Sequence, residues 1–424
     1  MTTSPTFSTA GHARTDGACC EEYAAMRGAV SRRGLLAGTL ALAGASTMVG
    51  SAVVTASPAR AASASSVLVV VSLRGAADGL SLVVPHTDPV YYAARPRIAV
   101  PSDRLLVKDG TFGLHPSMTA LVPLWEAGKV AAYHATGLPT ANRSHFAAME
   151  ELEDADPGSS ARVGWLNRLV GSTPGSSPLQ GFSAGTSTVP TSLVGPAPTM
   201  SAGDVDDVEL PGNDDEGRRA QSLHIMWDGE KSTLGRSMRA TFDAISAFGP
   251  AQATEDTGDT YPGSSLGQSL AAAARIIRGD VGVEVITVDQ GDWDMHSDMG
   301  DVDGGWMANN AKDLAASIAA FFADLGTQES KVTLVTISEF GRRVVENDSN
   351  GTDHGYGNVM FLAGAGVRGG YHARWPGLAS TYDSDLTVTT DYRQVLADVV
   401  SRRFNASVAQ VFPGLKWQST GVML

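Results

Sequence analysis

The chain has 424 residues, of which 43% are hydrophobic and 18% are charged. This composition excludes a disordered, collagen-like or coiled-coil protein, and the length suits one large domain or two ordinary ones. Its 45 acidic residues outnumber 31 lysines and arginines, so nucleic acid is not an expected partner. Both cysteines, Cys19 and Cys20, lie near the start. Any metal bound further along the chain must therefore use oxygen and nitrogen ligands.

The first 61 residues have the pattern of a twin-arginine export signal. Arg32 and Arg33 precede an uncharged run over residues 34–56, and Ala59 and Ala61 offer the small residues that a signal peptidase needs. If the chain is cleaved after Ala61, we expect a mature domain that is acidic, free of cysteine and secreted or otherwise extracytoplasmic. The alternative is an uncleaved membrane anchor, because the uncharged run is long enough to span a bilayer.

The predicted export signal, which we call the leader, implies two partners. They are the twin-arginine translocation machinery and a signal peptidase, with no membrane contact after cleavage. We also expect that residues before Ala61 do not pack on the domain, because their hydrophobic run serves export.

The mature chain, residues 62–424, alternates strand and helix patterns. Continuous apolar runs without polar alternation predict strands covered on both faces, at residues 67–73, 283–288, 331–337 and 359–363. Helical periodicity occurs between them, at residues 116–127, 144–155, 266–278, 308–325 and 391–403. The alternation predicts an α/β protein with a three-layer α/β/α fold and a mostly parallel sheet.

Residues 171–263 interrupt this alternation. The segment is rich in serine, proline, glycine and aspartate, with acidic clusters at 204–209 and 214–216. We expect an inserted cap or long loop region with one helix near residues 234–248. Since strands resume afterwards in the same style, one sheet with an insert is favoured over two domains.

Polar residues follow or precede the predicted strands, at the edge where open parallel sheets bind ligands. In chain order they are Arg74, Asp78, Asp294, His296, Glu339, Arg342, Asp353 and His354. A single carboxylate after a strand is typical of a turn or helix cap. The two aspartate–histidine pairs together indicate a site for a divalent metal, which can be zinc, calcium, manganese or magnesium.

Ser144 is the candidate nucleophile. It lies at the start of the helix predicted over 144–155, where free N–H groups and the helix dipole favour an anion or a deprotonated hydroxyl. The alternative role is a helix N-cap. Its neighbour Arg143 is a candidate clamp for an anionic group, and His145 can serve as a base, a ligand or a surface residue.

Several segments together resemble a known family. They are LVVVSLRGAADGLSLVVPHTDPVYYAARP from Leu68, GLHPSMTALVPLWEAGKVAAYHATG from Gly113, NRSHFAAME from Asn142, GDWDMH from Gly291, VTISEFGRRVVEN from Val335 and GTDHGYGNVMFLAGAGVRGG from Gly351. With them the chain resembles the exported bacterial proteins grouped as domain of unknown function 1501. Membership by itself implies no reaction.

That family is more distantly similar to the alkaline phosphatase and sulfatase superfamily, whose members hydrolyse phosphate or sulfate esters with one or two bound metals. The resemblance implies a single alkaline-phosphatase-like domain with Ser144 as nucleophile. It also implies the metal ligands Asp78, Asp294, His296, Glu339 and His354, with Asp353 as a substitute ligand. The chain departs from the superfamily at Phe340, which cannot bind a metal where the superfamily places an imidazole.

Two functions follow from this pattern. The first is a secreted, metal-dependent hydrolase of small anionic esters, in which Arg143, Arg74 or Arg342 clamps the phosphate or sulfate group. The second is a catalytically silent extracellular binding or assembly protein, with the acidic insert as its recognition surface.

Overall fold

A computed structural model describes residues 63–172, 177–210 and 217–424, together with the backbone of two short strands before them. The strands in chain order are β1 Ser46–Val49, β2 Ala52–Thr55, β3 Val67–Leu73, β4 Val83–Val84, β5 Gly113–Leu114, β6 Val130–Gly137, β7 Gly181–Ala184, β8 Met200–Ala202, β9 Val285–Gln290, β10 Val332–Ile337, β11 Asn358–Gly364, β12 Gly370–His372 and β13 Thr390–Asp391.

Helices surround these strands. The α-helices are α1 Gly79–Leu82, α2 Pro89–Ala94, α3 Val122–Glu126, α4 His145–Asp154, α5 Trp165–Val170, α6 Arg218–Trp227, α7 Thr233–Gln252, α8 Ser265–Arg278, α9 Trp306–Asp324, α10 Tyr392–Arg403 and α11 Val408–Val411. Short 3-10 helices lie at Pro116–Leu121, Pro178–Gln180, Thr191–Leu193, Gly258–Thr260 and Gly326–Lys331. The helix predicted over 116–127 is thus a 3-10 segment followed by α3, with Pro123 at the junction.

Eleven strands of the described chain form the central sheet, in the order β1-β2-β8-β7-β9-β3-β10-β11-β6-β12, and β13 also pairs with β6. Strands β8, β7, β9, β3 and β10 run parallel to one another. Strand β11 runs antiparallel to both of its neighbours, β10 and β6. It therefore begins at the edge of the sheet where β3, β6, β9 and β10 end.

Strand β3 shows how helices cover both faces of this sheet. All seven of its residues are buried. Val67, Val69 and Val71 pack into a core with α8 and α9, whereas Leu68 and Val70 pack into a second core with α4, α5 and α10. Burial on both faces is the reason that the strand is apolar without alternation. The predicted three-layer α/β/α fold with a mostly parallel sheet is confirmed.

The segment 171–263 differs from the expected loop region. It contains β7 and β8, which extend the main sheet beyond β9, and its described residues also form two α-helices, α6 and α7, and three short 3-10 helices. The expected helix near 234–248 lies within α7. The two strands were not predicted because they are short and rich in glycine, alanine and serine, so the sequence has no apolar run there.

The predicted export signal lies mostly outside the described residues, including both arginines and the expected cleavage site. Within it, β1 and β2 form an antiparallel pair, and β2 pairs with the edge strand β8. In the uncleaved chain the expectation that no leader residue packs on the domain is therefore wrong for these two strands, because an open sheet edge accepts an apolar strand. Among the described helices, none combines the length and hydrophobicity needed to cross a membrane.

Candidate metal centre

Three imidazole rings and one carboxylate converge at the carboxyl edge of the sheet. His354 Nε2 lies 2.9 Å from His145 Nε2 and 2.9 Å from His296 Nε2. Asp294 Oδ1 lies 3.0 Å from His296 Nε2, 3.4 Å from His354 Nε2 and 3.6 Å from His145 Nε2. We call these four residues the His–Asp cluster. Three of them, His145, Asp294 and His354, form a group whose donor atoms are close enough to share a metal ion.

The sheet topology brings these residues together. Asp294 and His296 follow β9, His145 begins α4 after β6, and His354 precedes the antiparallel strand β11. The loops pack so closely that side chains are excluded at two points. A Cβ atom on Gly75, whose φ is +107°, would lie 2.6 Å from the backbone nitrogen of Asp294, and one on Gly351 would lie 2.3 Å from the carbonyl carbon of His296.

Each imidazole directs its second ring nitrogen at an oxygen. His145 Nδ1 lies 3.1 Å from Glu339 Oε1, His296 Nδ1 lies 3.2 Å from Asp353 Oδ1, and His354 Nδ1 lies 3.0 Å from the carbonyl oxygen of Arg143. Carbonyl and ionised carboxylate oxygens only accept hydrogen bonds, so Nδ1 carries the hydrogen in each ring. The Nε2 atoms of His145 and His296 each lie 2.9 Å from His354 Nε2, and lone pairs at such distances repel one another unless a proton or a metal cation lies between them.

The donor set fits a divalent metal. Because zinc binds nitrogen at about 2.0–2.1 Å, two donors that share one zinc ion lie about 3.3 Å apart. The donor atoms of His145, Asp294 and His354 are separated by 2.9 to 3.6 Å, and His296 Nε2 lies 2.9 Å from His354 Nε2 and 3.0 Å from Asp294 Oδ1. Oxygen acceptors on the second nitrogen of a histidine are the usual support of metal-bound imidazoles. The side chains of the cluster are 24–30% exposed, so a bound ion would have access to solvent.

Electrostatics keep Asp294 ionised. Burial alone would raise its pKa, but the hydrogen bonds of the three histidines and the charge of Arg342 outweigh burial and hold the pKa well below its usual range. Burial also opposes protonation of His145, yet the carboxylates of Asp294 and Glu339 raise the pKa of its imidazole to about 9. The cluster therefore attracts positive charge.

Arg342 is a buried structural residue of this centre. Its guanidinium donates to Asp294 Oδ1 at 2.7 Å. It also donates to four backbone carbonyls, those of Gly75, Ala76, Trp293 and Thr352. These bonds tie together the loops that follow β3 and β9 and the loop that precedes β11. Because its donors are already used, Arg342 is not available as the predicted anion clamp.

Glu339 and Asp353, both predicted metal ligands, face Nδ1 atoms rather than the point where the donors meet. Glu339 is 3% exposed, and its Oε1 also accepts from the Gly75 N–H at 2.8 Å. Burial would raise the pKa of Glu339, but the bonds from His145 and the backbone lower it. Asp353 accepts from Asn347 Nδ2 at 3.0 Å and is 45% exposed. Both side chains hold imidazole rings in orientation.

Asp78 and Arg74 do not join the cluster. Asp78 is buried and forms an ion pair with Arg95, in which Nη1 donates to Oδ2 at 2.5 Å and Nη2 donates to Oδ1 at 3.0 Å. Ser81 Oγ also donates to Oδ2 at 2.6 Å, so both carboxylate oxygens of this predicted ligand are occupied. Arg74 pairs with Glu153 at 2.7 Å and with Asp289 at 3.1 Å.

Phe340 and Ser144 border the centre. The buried Phe340 ring packs beneath two ligand rings, with centroids 4.9 Å from that of His145 and 5.0 Å from that of His354. Ser144 occupies the N-cap position of α4, but its hydroxyl makes no capping hydrogen bond. Its side chain is exposed. The hydroxyl is therefore not consumed by helix capping.

Three residues that support the centre were not predicted from the sequence. Arg95, Asn347 and Asp385 contact Asp78, Asp353 and Arg143, respectively. Arg95 and Asn347 lie in segments that carry the family resemblance, but their local pattern indicated no role, and each of the three contacts depends on the tertiary fold. Asn347 lies only six residues before Asp353, in the same loop, and this proximity was the one local signal.

The fold and the cluster define an α/β protein with a candidate metal centre at the carboxyl edge of its sheet. A family model described as "Protein of unknown function (DUF1501)" matches residues 65–400. This range includes every residue of the His–Asp cluster, and the chain belongs to that family. A comparison with curated proteins finds no match.

Proposed function

We propose that the chain is an exported, metal-dependent hydrolase of phosphate or sulfate esters. The observation that carries the proposal is the convergence of three imidazole Nε2 atoms and one carboxylate oxygen, each imidazole being oriented by an oxygen acceptor on its other nitrogen. Partial exposure of these side chains supports a role in chemistry, because a metal site with solvent access can accept a substrate oxygen.

The residues of the cluster would divide the work as follows. His145, Asp294 and His354 would hold the ion, with His296 beside them as a further ligand, and the bound ion would polarise an ester oxygen. Glu339 and Asp353 fix the rings of His145 and His296 and hold the hydrogen on Nδ1 of each, and the carbonyl oxygen of Arg143 does the same for His354. The apolar ring of Phe340 excludes water from the protein side of the cluster.

Ser144 is the proposed nucleophile. Its exposed hydroxyl immediately precedes the ligand His145 and makes no capping bond. In the proposed step the Ser144 oxygen attacks the phosphorus or sulfur atom and the bond from that atom to the ester oxygen breaks. The hydroxyl proton of Ser144 passes through solvent to the leaving oxygen, which departs as an alcohol. Water then hydrolyses the covalent serine ester and regenerates the hydroxyl.

One observation favours a catalytically silent binding protein instead. Two of the three arginines predicted as clamps, Arg74 and Arg342, are engaged in internal ion pairs and hydrogen bonds. A phosphate or sulfate hydrolase needs hydrogen-bond donors for the anionic group of its substrate. A cluster without further donors of this kind beside it would favour the binding protein.

The first test is elemental analysis of protein exported through its native route, with His354→Ala as the matched variant, followed by a screen of phosphate and sulfate esters. We expect about one equivalent of metal in the wild type, loss of that metal in the variant, and turnover of at least one ester class. Stoichiometric metal without turnover would support the silent binding protein, and absence of both would refute the metal centre.

The second test is Ser144→Ala. Because the hydroxyl makes no capping bond, we expect a change in unfolding free energy below about 0.5 kcal/mol, together with loss of ester turnover. A helix cap would instead cost about 1 kcal/mol and leave turnover unchanged. Thermal melting and hydrolysis measured on one metal-loaded preparation distinguish these outcomes. Full turnover in the variant would exclude Ser144 as nucleophile.

A further inference from the structure

Two arginines share a single carboxylate beside the His–Asp cluster. Arg143 Nη2 donates to Asp385 Oδ2, and Arg343 Nε lies 3.8 Å from Asp385 Oδ1, which is too far for a hydrogen bond. In the part of the chain that the structure describes, Arg343 Nη1 and Asp385 Oδ1 are buried and have no hydrogen-bond partner. We call Arg143, Arg343 and Asp385 the trio. It holds one excess positive charge and an unused guanidinium donor.

The trio is attached directly to the metal centre. The carbonyl oxygen of Arg143 accepts from His354 Nδ1, and the next two residues are Ser144 and the ligand His145. The backbone N–H of Arg343 donates to the carbonyl oxygen of Asp353 at 2.9 Å. Both arginines thus belong to the loops that carry the ligands and the residues that orient them.

Charge favours an anion at this position only when a cation is bound. Four carboxylates, those of Asp294, Glu339, Asp353 and Asp385, and three guanidiniums, those of Arg143, Arg342 and Arg343, lie in and around the His–Asp cluster. These seven groups sum to a net charge of about −1, which an imidazolium at His145 would bring to about 0 in the metal-free centre, whereas a divalent ion with neutral imidazoles brings the sum to about +1. An anionic ligand would then be attracted both by the ion and by the nearby guanidiniums.

We infer that Arg143 and Arg343 form an anion-binding subsite that receives the tetrahedral oxyanion group of the substrate, with Asp385 holding the two guanidiniums in place. This inference rests on the proposed function for the identity of the substrate. Guanidinium groups bind such oxyanions through paired N–H donors. The side chains of Arg143 and Arg343 are 43% and 21% exposed, so both can be reached in part from solvent, although Arg343 Nη1 itself is buried.

The test measures binding of inorganic phosphate and of inorganic sulfate by calorimetry, on full-length protein loaded with Zn²⁺ and on protein stripped of metal. We expect binding only to the loaded protein. Arg343→Gln is expected to weaken binding by roughly ten- to a hundredfold, the range of a lost hydrogen bond to a charged group. Arg343→Lys keeps the charge without the planar fork and should lie between Arg343→Gln and the wild type.

Two further variants sharpen the result. Asp385→Asn removes the competing carboxylate and should tighten anion binding by a few fold. Arg162→Gln is the matched control, since Arg162 pairs with Glu150 and Asp154 at the surface and should bind the anions as the wild type does. Thermal melting of each variant identifies any that fails to fold, in which case Arg343→Lys carries the comparison.

The outcomes separate the subsite from the proposed function. Binding of either anion that depends on Arg343 would support the subsite even if no ester were hydrolysed, and the preferred anion would identify the phosphate or the sulfate class. Equal affinity in Arg343→Gln and Arg162→Gln, or no anion binding by the loaded wild type, would overturn the subsite even if hydrolysis were found.

Discussion

Replacement of Glu339 by glutamine tests the metal centre without removing any of its ligands. The wild-type carboxylate accepts from His145 Nδ1 at 3.1 Å and is only 3% exposed. Glutamine keeps the shape and one carbonyl acceptor but removes the buried negative charge. The imidazole of His145 then loses part of its basicity and part of its fixed orientation.

The expected magnitude follows from the kind of bond that changes. A hydrogen bond to a charged group contributes about 1.5–3 kcal/mol, and a neutral one about 0.5–1.5 kcal/mol. The difference of about 1–1.5 kcal/mol corresponds to roughly tenfold weaker metal binding, at the lower end of what residues behind metal ligands typically contribute. For Asp353→Asn we expect a smaller loss, about two- to fivefold, because its 45% exposed carboxylate is screened by water.

The assay is competition for Zn²⁺ against a chromophoric chelator, with each variant checked by thermal melting. Asp398→Asn is the control, since it removes another buried carboxylate, one that binds the C-terminal segment. We expect this control to bind Zn²⁺ with wild-type affinity. The reasoning is refuted if Glu339→Gln binds Zn²⁺ as tightly as the wild type, or if Asp353→Asn loses more affinity than Glu339→Gln.

Three further predictions concern stability and export. Asp78→Asn should lower the free energy of unfolding by about 3–5 kcal/mol in urea titrations, because it leaves Arg95 buried without its partner. Burial would raise the pKa of Asp78, but its pairing with Arg95 outweighs burial and lowers the pKa, so the difference between variant and wild type should be full above about pH 4 and shrink as the pH falls further; a difference independent of pH would contradict this. Asp398→Ala should cost about 2–4 kcal/mol, because Trp417 Nε1, Thr420 N and Thr420 Oγ1 all donate to this buried carboxylate; a loss below 1 kcal/mol would show that these bonds are weak. The mass of exported protein should correspond to cleavage after Ala61, whereas a mass that retains Arg32 and Arg33 would indicate an anchored protein.

Much of the fold was accessible from the sequence, because burial on both faces leaves a local signature. The unbroken apolar run of β3 is an example, since every one of its residues is buried. Strand β10 is likewise buried along its whole length, and α8 has the periodicity of an amphipathic helix. By contrast, β7 and β8 are short and built from small residues, and only their hydrogen bonds to β9 and to each other make them part of the sheet.

The candidate site divides in the same way. The sequence alone indicated Asp294, His296 and His354, because each adjoins an apolar strand and their side chains suit a metal. It could not establish that β11 runs antiparallel, although this direction brings His354 to the edge where the other strands end. It also left His145 with three possible roles, and only the tertiary structure placed its Nε2 atom among the donors.

Asp78 shows the reason for the remaining difference. As a carboxylate directly after a buried strand, it had the same local pattern as a metal ligand. Its actual partner is Arg95, seventeen residues further along the chain, whose buried charge requires a counter-ion. A local pattern determines which chemistry a residue can perform. Which partner satisfies a buried charge depends on distances that arise only when the chain folds.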